Sequence, residues 1–112
     1  MKMITPEELF KRIKAKDELT VVDVRSEEKY NEFHIEGASL TDLNIPKTEI
    51  FRIENESKQD VPGLPTNKEL IITCTTGNSA TKCAHILSER SYDVVVLEGG
   101  ITAWKKFVSD NI

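Results

Sequence analysis

Cysteine is scarce in this chain, with only Cys74 and Cys83 among 112 residues. Two thiols, and no apolar signal segment in Met1–Glu8, argue against a disulfide framework and point to a reducing cytoplasm. Histidine is as rare. His34 and His85 lie far apart and make no convincing metal site, so neither a metal nor a cofactor is expected. No apolar run is long enough to span a bilayer. There is no basic excess either: 15 Lys and Arg stand against 19 Asp and Glu, a net charge of -4. That balance argues against nucleic-acid or anionic-membrane partners. Repeats and low-complexity segments are also missing. What remains fits one ordinary domain over residues 1–112, long enough to bury a single core.

Within that domain, strand and helix signals alternate. Thr5-Pro6-Glu7-Glu8 is a helix start, with Thr5 as cap, Pro6 in the first position and Glu8 closing a capping box. Leu9, Phe10 and Ile13 then share one face. Leu19–Val24 is β-branched and nearly continuous in apolar character, as a strand covered on both sides should be. Ser26 is a candidate cap for a short helix through Tyr30. His34–Ala38 reads as a turn into a brief strand around Ser39 and Leu40, and Thr41–Asn44 is ambiguous. Pro46 starts a helix through Ile50, Phe51 and Ile53. Residues 55–69 are punctuated as a loop. Leu70–Thr73 and Asp93–Leu97 are strands, Gly99-Gly100 a tight turn, and Ile101, Trp104, Phe107 and Val108 the inner face of a last helix. Such alternation predicts an α/β fold: a mainly parallel sheet with helices on both faces, and a site beyond the carboxyl ends of the strands.

Cys74 stands at one such end. The strand Leu70–Thr73 runs into it, the polar loop through Ser79 follows, and a helix is predicted from Ala80, with Ala80, Cys83, Ala84 and Leu87 on its apolar stripe. Strand, loop and helix aim backbone N–H groups and a positive helix end at one point. A thiol held there should have a lowered pKa, because those dipoles favour the thiolate. Cys74 is therefore the candidate nucleophile, and Cys83 a core residue. Asp23 and Arg25 read as a structural ion pair near the neighbouring strand end. His34 reads as a structural histidine, His85 as exposed and Trp104 as a core anchor.

Taken together, Asp23-Val24-Arg25, His34-Ile35-Glu36-Gly37-Ala38, the cysteine loop and Leu97-Glu98-Gly99-Gly100-Ile101 with Trp104 resemble the rhodanese-like sulfurtransferase domain over nearly the whole chain. The resemblance implies a single domain with five parallel strands. It also implies that Cys74 takes a sulfane sulfur from a donor such as thiosulfate, polysulfide or a protein persulfide and passes it to a thiol or cyanide. Thr75, Thr76, Gly77, Asn78, Ser79 and Ala80 would cradle that sulfur, with Asp23, Arg25 and Lys82 in support. One departure stands out: the last loop position, usually arginine in active members of the family, is Ser79. Arginine supplies a fixed charge and a fork suited to an oxyanion, so weak thiosulfate activity is expected, with Lys82 as a substitute cation. The same departure motivates a second reading, a non-catalytic module for protein binding or redox sensing. A phosphatase reading fails because Ala80 stands where a longer phosphate loop needs arginine.

Overall fold

In the computed structural model, which describes residues 1–111, the chain runs β1 (Met3–Ile4), α1 (Pro6–Lys14), β2 (Leu19–Asp23), α2 (Glu27–Glu32), β3 (Leu40–Asn44), α3 (Lys47–Asn55), β4 (Glu69–Thr73), α4 (Asn78–Ser88), β5 (Asp93–Leu97) and α5 (Gly100–Asp110). The strands form one sheet in the order β1-β5-β4-β2-β3, and every pairing is parallel. Side chains alternate along the three central strands. Val22, Leu70, Ile72, Val94 and Val96 face one side, and Leu19, Val21, Ile71, Val95 and Leu97 the other. Helices α3 and α4 cover the first side, α1 and α5 the second. Burial on both faces is why β2, β4 and β5 read as almost unbroken apolar runs.

The first helix forms as its sequence dictates. The Glu8 amide donates to Thr5 Oγ1 at 3.1 Å and the Thr5 amide to Glu8 Oε1 at 3.0 Å, a reciprocal capping box. Three elements depart from the sequence reading. β1 is an unforeseen two-residue strand, paired as Met3 with Val96 and Ile4 with Leu97. Two residues are too few to reveal a period. β3 runs on through the ambiguous Thr41–Asn44, in register with β2; its polar residues suit an edge strand with one neighbour. Finally, α4 begins at Asn78 rather than Ala80, because Gly77 in the left-handed region (φ 107°) serves as its N-cap. Asn78 and Ser79 thus belong to the first helical turn.

Parallel strands bring the carboxyl ends of β2 and β4 side by side. The Val24 amide donates to the Thr73 carbonyl at 2.9 Å, extending the pairing to the residues that precede the site. The long connection after α3 is anchored from within. Val61 and Leu64 are buried, and the Val61 amide donates to Tyr92 Oη at 3.0 Å.

Candidate active site

Cys74 leaves β4 on the face covered by α3 and α4. It is 5% exposed and lines a cavity at this end of the sheet. That cavity holds about 490 Å³ and is walled by the ends of β2 and β4, the start of α2 and the start of α3. Two backbone amides point at the sulfur. Gly77 N–H donates to Sγ at 3.1 Å and Ala80 N–H at 3.3 Å. The second lies in the first turn of α4, so the positive end of the helix acts at the same atom.

The loop is aimed this way because its carbonyls are held on the far side. Ile101 N–H donates to the Cys74 carbonyl at 2.8 Å and Thr102 N–H to that of Thr75 at 3.0 Å, both from the start of α5. Gly99 and Gly100 each take a positive φ, 76° and 62°, which lets this helix end meet the loop backbone to backbone. A second brace comes from Thr81, whose hydroxyl and amide donate to the Gly77 carbonyl at 2.8 and 3.0 Å. Thr81 carries no signal in the sequence that ties it to the site, and Gly100 is tied to it only by its place in the turn at the carboxyl end of β5.

The family model of the rhodanese-like domain matches residues 5–107. The chain is a rhodanese-like domain. It is 36% identical over 104 residues to a probable adenylyltransferase/sulfurtransferase MoeZ of Mycobacterium tuberculosis, covering 92% of this chain but 24% of that protein. The chain thus spans about a quarter of that relative's length. It is 30% identical to the thiosulfate sulfurtransferase GlpE of Pseudoalteromonas translucida, covering 87% of this chain and 83% of that one. A rhodanese-like domain protein from Staphylococcus aureus superposes with a TM-score of 0.74 at 28% identity, over 93% of this chain and 91% of that chain. Relatives of this domain are therefore named sulfurtransferases, and no helix among the described residues is long and apolar enough to cross a membrane.

In this rhodanese-like domain Thr75, Thr76, Asn78 and Ser79 line the cavity, while Gly77 and Ala80 supply the amides to the sulfur. Asp23 and Arg25 form a buried pair. The guanidinium Nη2 donates to Asp23 Oδ2 at 2.7 Å and to the Phe33 carbonyl at 2.6 Å, and Nε reaches both carboxylate oxygens at 3.0 and 3.1 Å. Asn44 completes the network, donating to the carbonyls of Asp23 and Arg25 at 3.0 Å. The pair braces the β2 end against the turn after α2, and Arg25 also borders the cavity. Lys82 does not border it. Its ammonium lies 4.7 Å from the centre of the Phe51 ring, a cation–π contact on the α3 side. Besides Arg25, the cations that border it are Lys29 and Lys47, for which the sequence offers no site signal.

The remaining candidates lie elsewhere. His34 Nδ1 meets the Tyr30 carbonyl at 2.8 Å, and its ring stacks on Tyr30 at 4.1 Å. His85 is exposed and Trp104 buried. Among the described residues no group of His, Cys, Asp or Glu could hold a metal ion.

Cys83 is fully buried, and burial, followed by the charge of Cys74, pushes its thiol up to about 12. It stays protonated at neutral pH, whereas in the unfolded chain it ionises near pH 8.5, about the ordinary value. Above that pH the folded state keeps a proton that the unfolded state has lost, so stability falls as pH rises from about 9 to about 12. Urea titrations across that range should show the decline, and Cys83→Ala should flatten it. Iodoacetamide at neutral pH should label one thiol in the folded protein and both in urea, as peptide mapping would reveal.

Proposed function

We propose that this domain is a sulfurtransferase that carries sulfane sulfur as a persulfide on Cys74. The observation that supports it most directly is a cysteine sulfur under a cavity with two backbone amides donating to it. Those amides stabilise negative charge on sulfur, which the reaction needs twice: in the attacking thiolate and again when Cys74 leaves.

With thiosulfate as donor, the Cys74 thiolate attacks the outer sulfur. A new sulfur–sulfur bond forms, the bond to the sulfonate breaks, and sulfite departs with the electron pair. A thiolate or cyanide then attacks the outer sulfur of the persulfide. It leaves as a new persulfide or as thiocyanate, and the Cys74 thiolate returns. No outside oxidant or reductant is required. Because Ser79 provides no charge within the loop, an anionic donor such as thiosulfate has to find its cation elsewhere on the cavity wall.

The reading is tested by a transfer assay that follows sulfite and thiocyanate with thiosulfate, and a persulfide of dithiothreitol with polysulfide. Catalytic turnover with at least one donor and acceptor pair is expected. A folded protein that turns over no pair would overturn the proposal in favour of a non-catalytic module.

A further inference from the structure

The charges around the cavity are one-sided although the protein is acidic overall. Arg25, Lys29 and Lys47 border it, and among the described residues no carboxylate does. These cations are not equally available. The Arg25 guanidinium is committed to Asp23 and to the Phe33 carbonyl. Lys29 and Lys47 are exposed and enter no ion pair among the described residues.

The position of Lys47 is also costly in the absence of an anion. It is the first residue of α3, where the helix dipole is already positive. The Pro46 cap makes no side-chain hydrogen bond to the first turn. Glu49, the acid of that turn, is turned to Arg52 at 3.1 Å. A cation and a positive helix end therefore meet at the cavity that Lys29 and Cys74 also line.

We infer that Lys29 and Lys47 are specificity-determining residues that hold the anionic group of the sulfur donor over Cys74, replacing the charge that Ser79 lacks. The sulfonate of thiosulfate is such a group. This rests on the sulfurtransferase reading, but its electrostatic content is tested without turnover.

Iodoacetate and iodoacetamide alkylate the same sulfur, are nearly equal in size and differ by one negative charge. Their rate ratio at Cys74, followed by peptide mapping at low salt, reads the field at the nucleophile. Lys29→Gln with Lys47→Gln should lower the ratio about 10-fold, because a cleft lined by one sign of charge concentrates counter-ions by factors of that order. Lys47→Arg should keep it, as should Lys11→Gln with Lys106→Gln, an equal change in net charge on α1 and α5 away from the cavity. Salt at 0.5 M should bring the wild-type ratio toward that of the double variant. In turnover, the double variant should raise KM for thiosulfate about 10-fold with kcat within about twofold, and leave a neutral dialkyl trisulfide unaffected. An unchanged alkylation ratio in the double variant, or a loss that follows Lys82→Gln instead, would overturn the inference. A domain that transfers no sulfur but shows the drop in ratio would refute the sulfurtransferase reading and leave the anion site standing.

Discussion

Cys74→Ser is expected to cut sulfur transfer by at least about 10³-fold, to the level of donor and acceptor mixed in buffer. The serine hydroxyl is neutral at physiological pH and cannot form the persulfide. Its oxygen can still accept from Gly77 and Ala80, which hold the present sulfur at 3.1 and 3.3 Å, so the loop keeps its hydrogen bonds. Stability should therefore change by only about 1 kcal/mol. Assaying transfer and urea stability on one preparation separates chemistry from folding. Turnover surviving above a tenth of wild type would mean that Cys74 is not the sulfur carrier.

Gly100→Ala should be the most damaging single-methyl change in the molecule. A Cβ there would lie 2.5 Å from the Cys74 carbonyl oxygen, 2.7 Å from that of Thr75 and 2.8 Å from the Thr75 carbonyl carbon. All three are backbone atoms and cannot step aside as a flexible side chain would. The residue must also keep a φ of 62°, unfavourable for any residue with a Cβ. Relief requires α5 to move off the loop, which breaks its bonds to both carbonyls. The expected loss is about 4 kcal/mol, near the upper end for a point change. For a domain of this size that is a fall of roughly 15 °C or more in Tm, measured by circular dichroism. Gly63→Ala separates the two causes. Its φ is 88°, yet a Cβ there meets only Ile45 Cδ1 at 4.0 Å. It should cost about 1 kcal/mol, the conformational part alone. Equal losses at both positions would show that the close approach to the cysteine loop is unimportant.

The sequence was legible where burial is symmetric or a local rule is strong. β2, β4 and β5 announce themselves because each is packed on both faces. The start of α1 is announced by a capping box that forms within four residues. β1 has no sequence signal and Thr41–Asn44 of β3 an ambiguous one for the opposite reason: they are edges, one too short to have a period and one rich in polar residues. The beginning of α4 was misplaced because its N-cap is a left-handed glycine, with no side chain to mark it.

At the site, the cysteine and its loop were readable as a contiguous strand–loop–helix signal. The charged rim was not. Lys82 drew attention because it is near Cys74 in sequence, but one helical turn carries its ammonium over Phe51. Lys29 and Lys47 reach the cavity because β3, β2 and β4 are adjacent and parallel, which delivers the starts of α3 and α2 and the cysteine loop to the same end of the sheet. That is a property of topology and has no local signature. The clamp at Gly100 is similar: the glycine pair reads as a turn, and only the packed structure reveals what it must accommodate.

The account depends on Cys74 accepting a sulfur atom, and intact-protein mass spectrometry with peptide mapping measures this directly. The reduced domain is treated with thiosulfate or polysulfide, desalted and weighed. The predicted result is a gain of about 32 Da, one sulfur atom, mapped to Cys74 and removed by a thiol acceptor. No such gain with any donor, or a gain carried by Cys83, would contradict it.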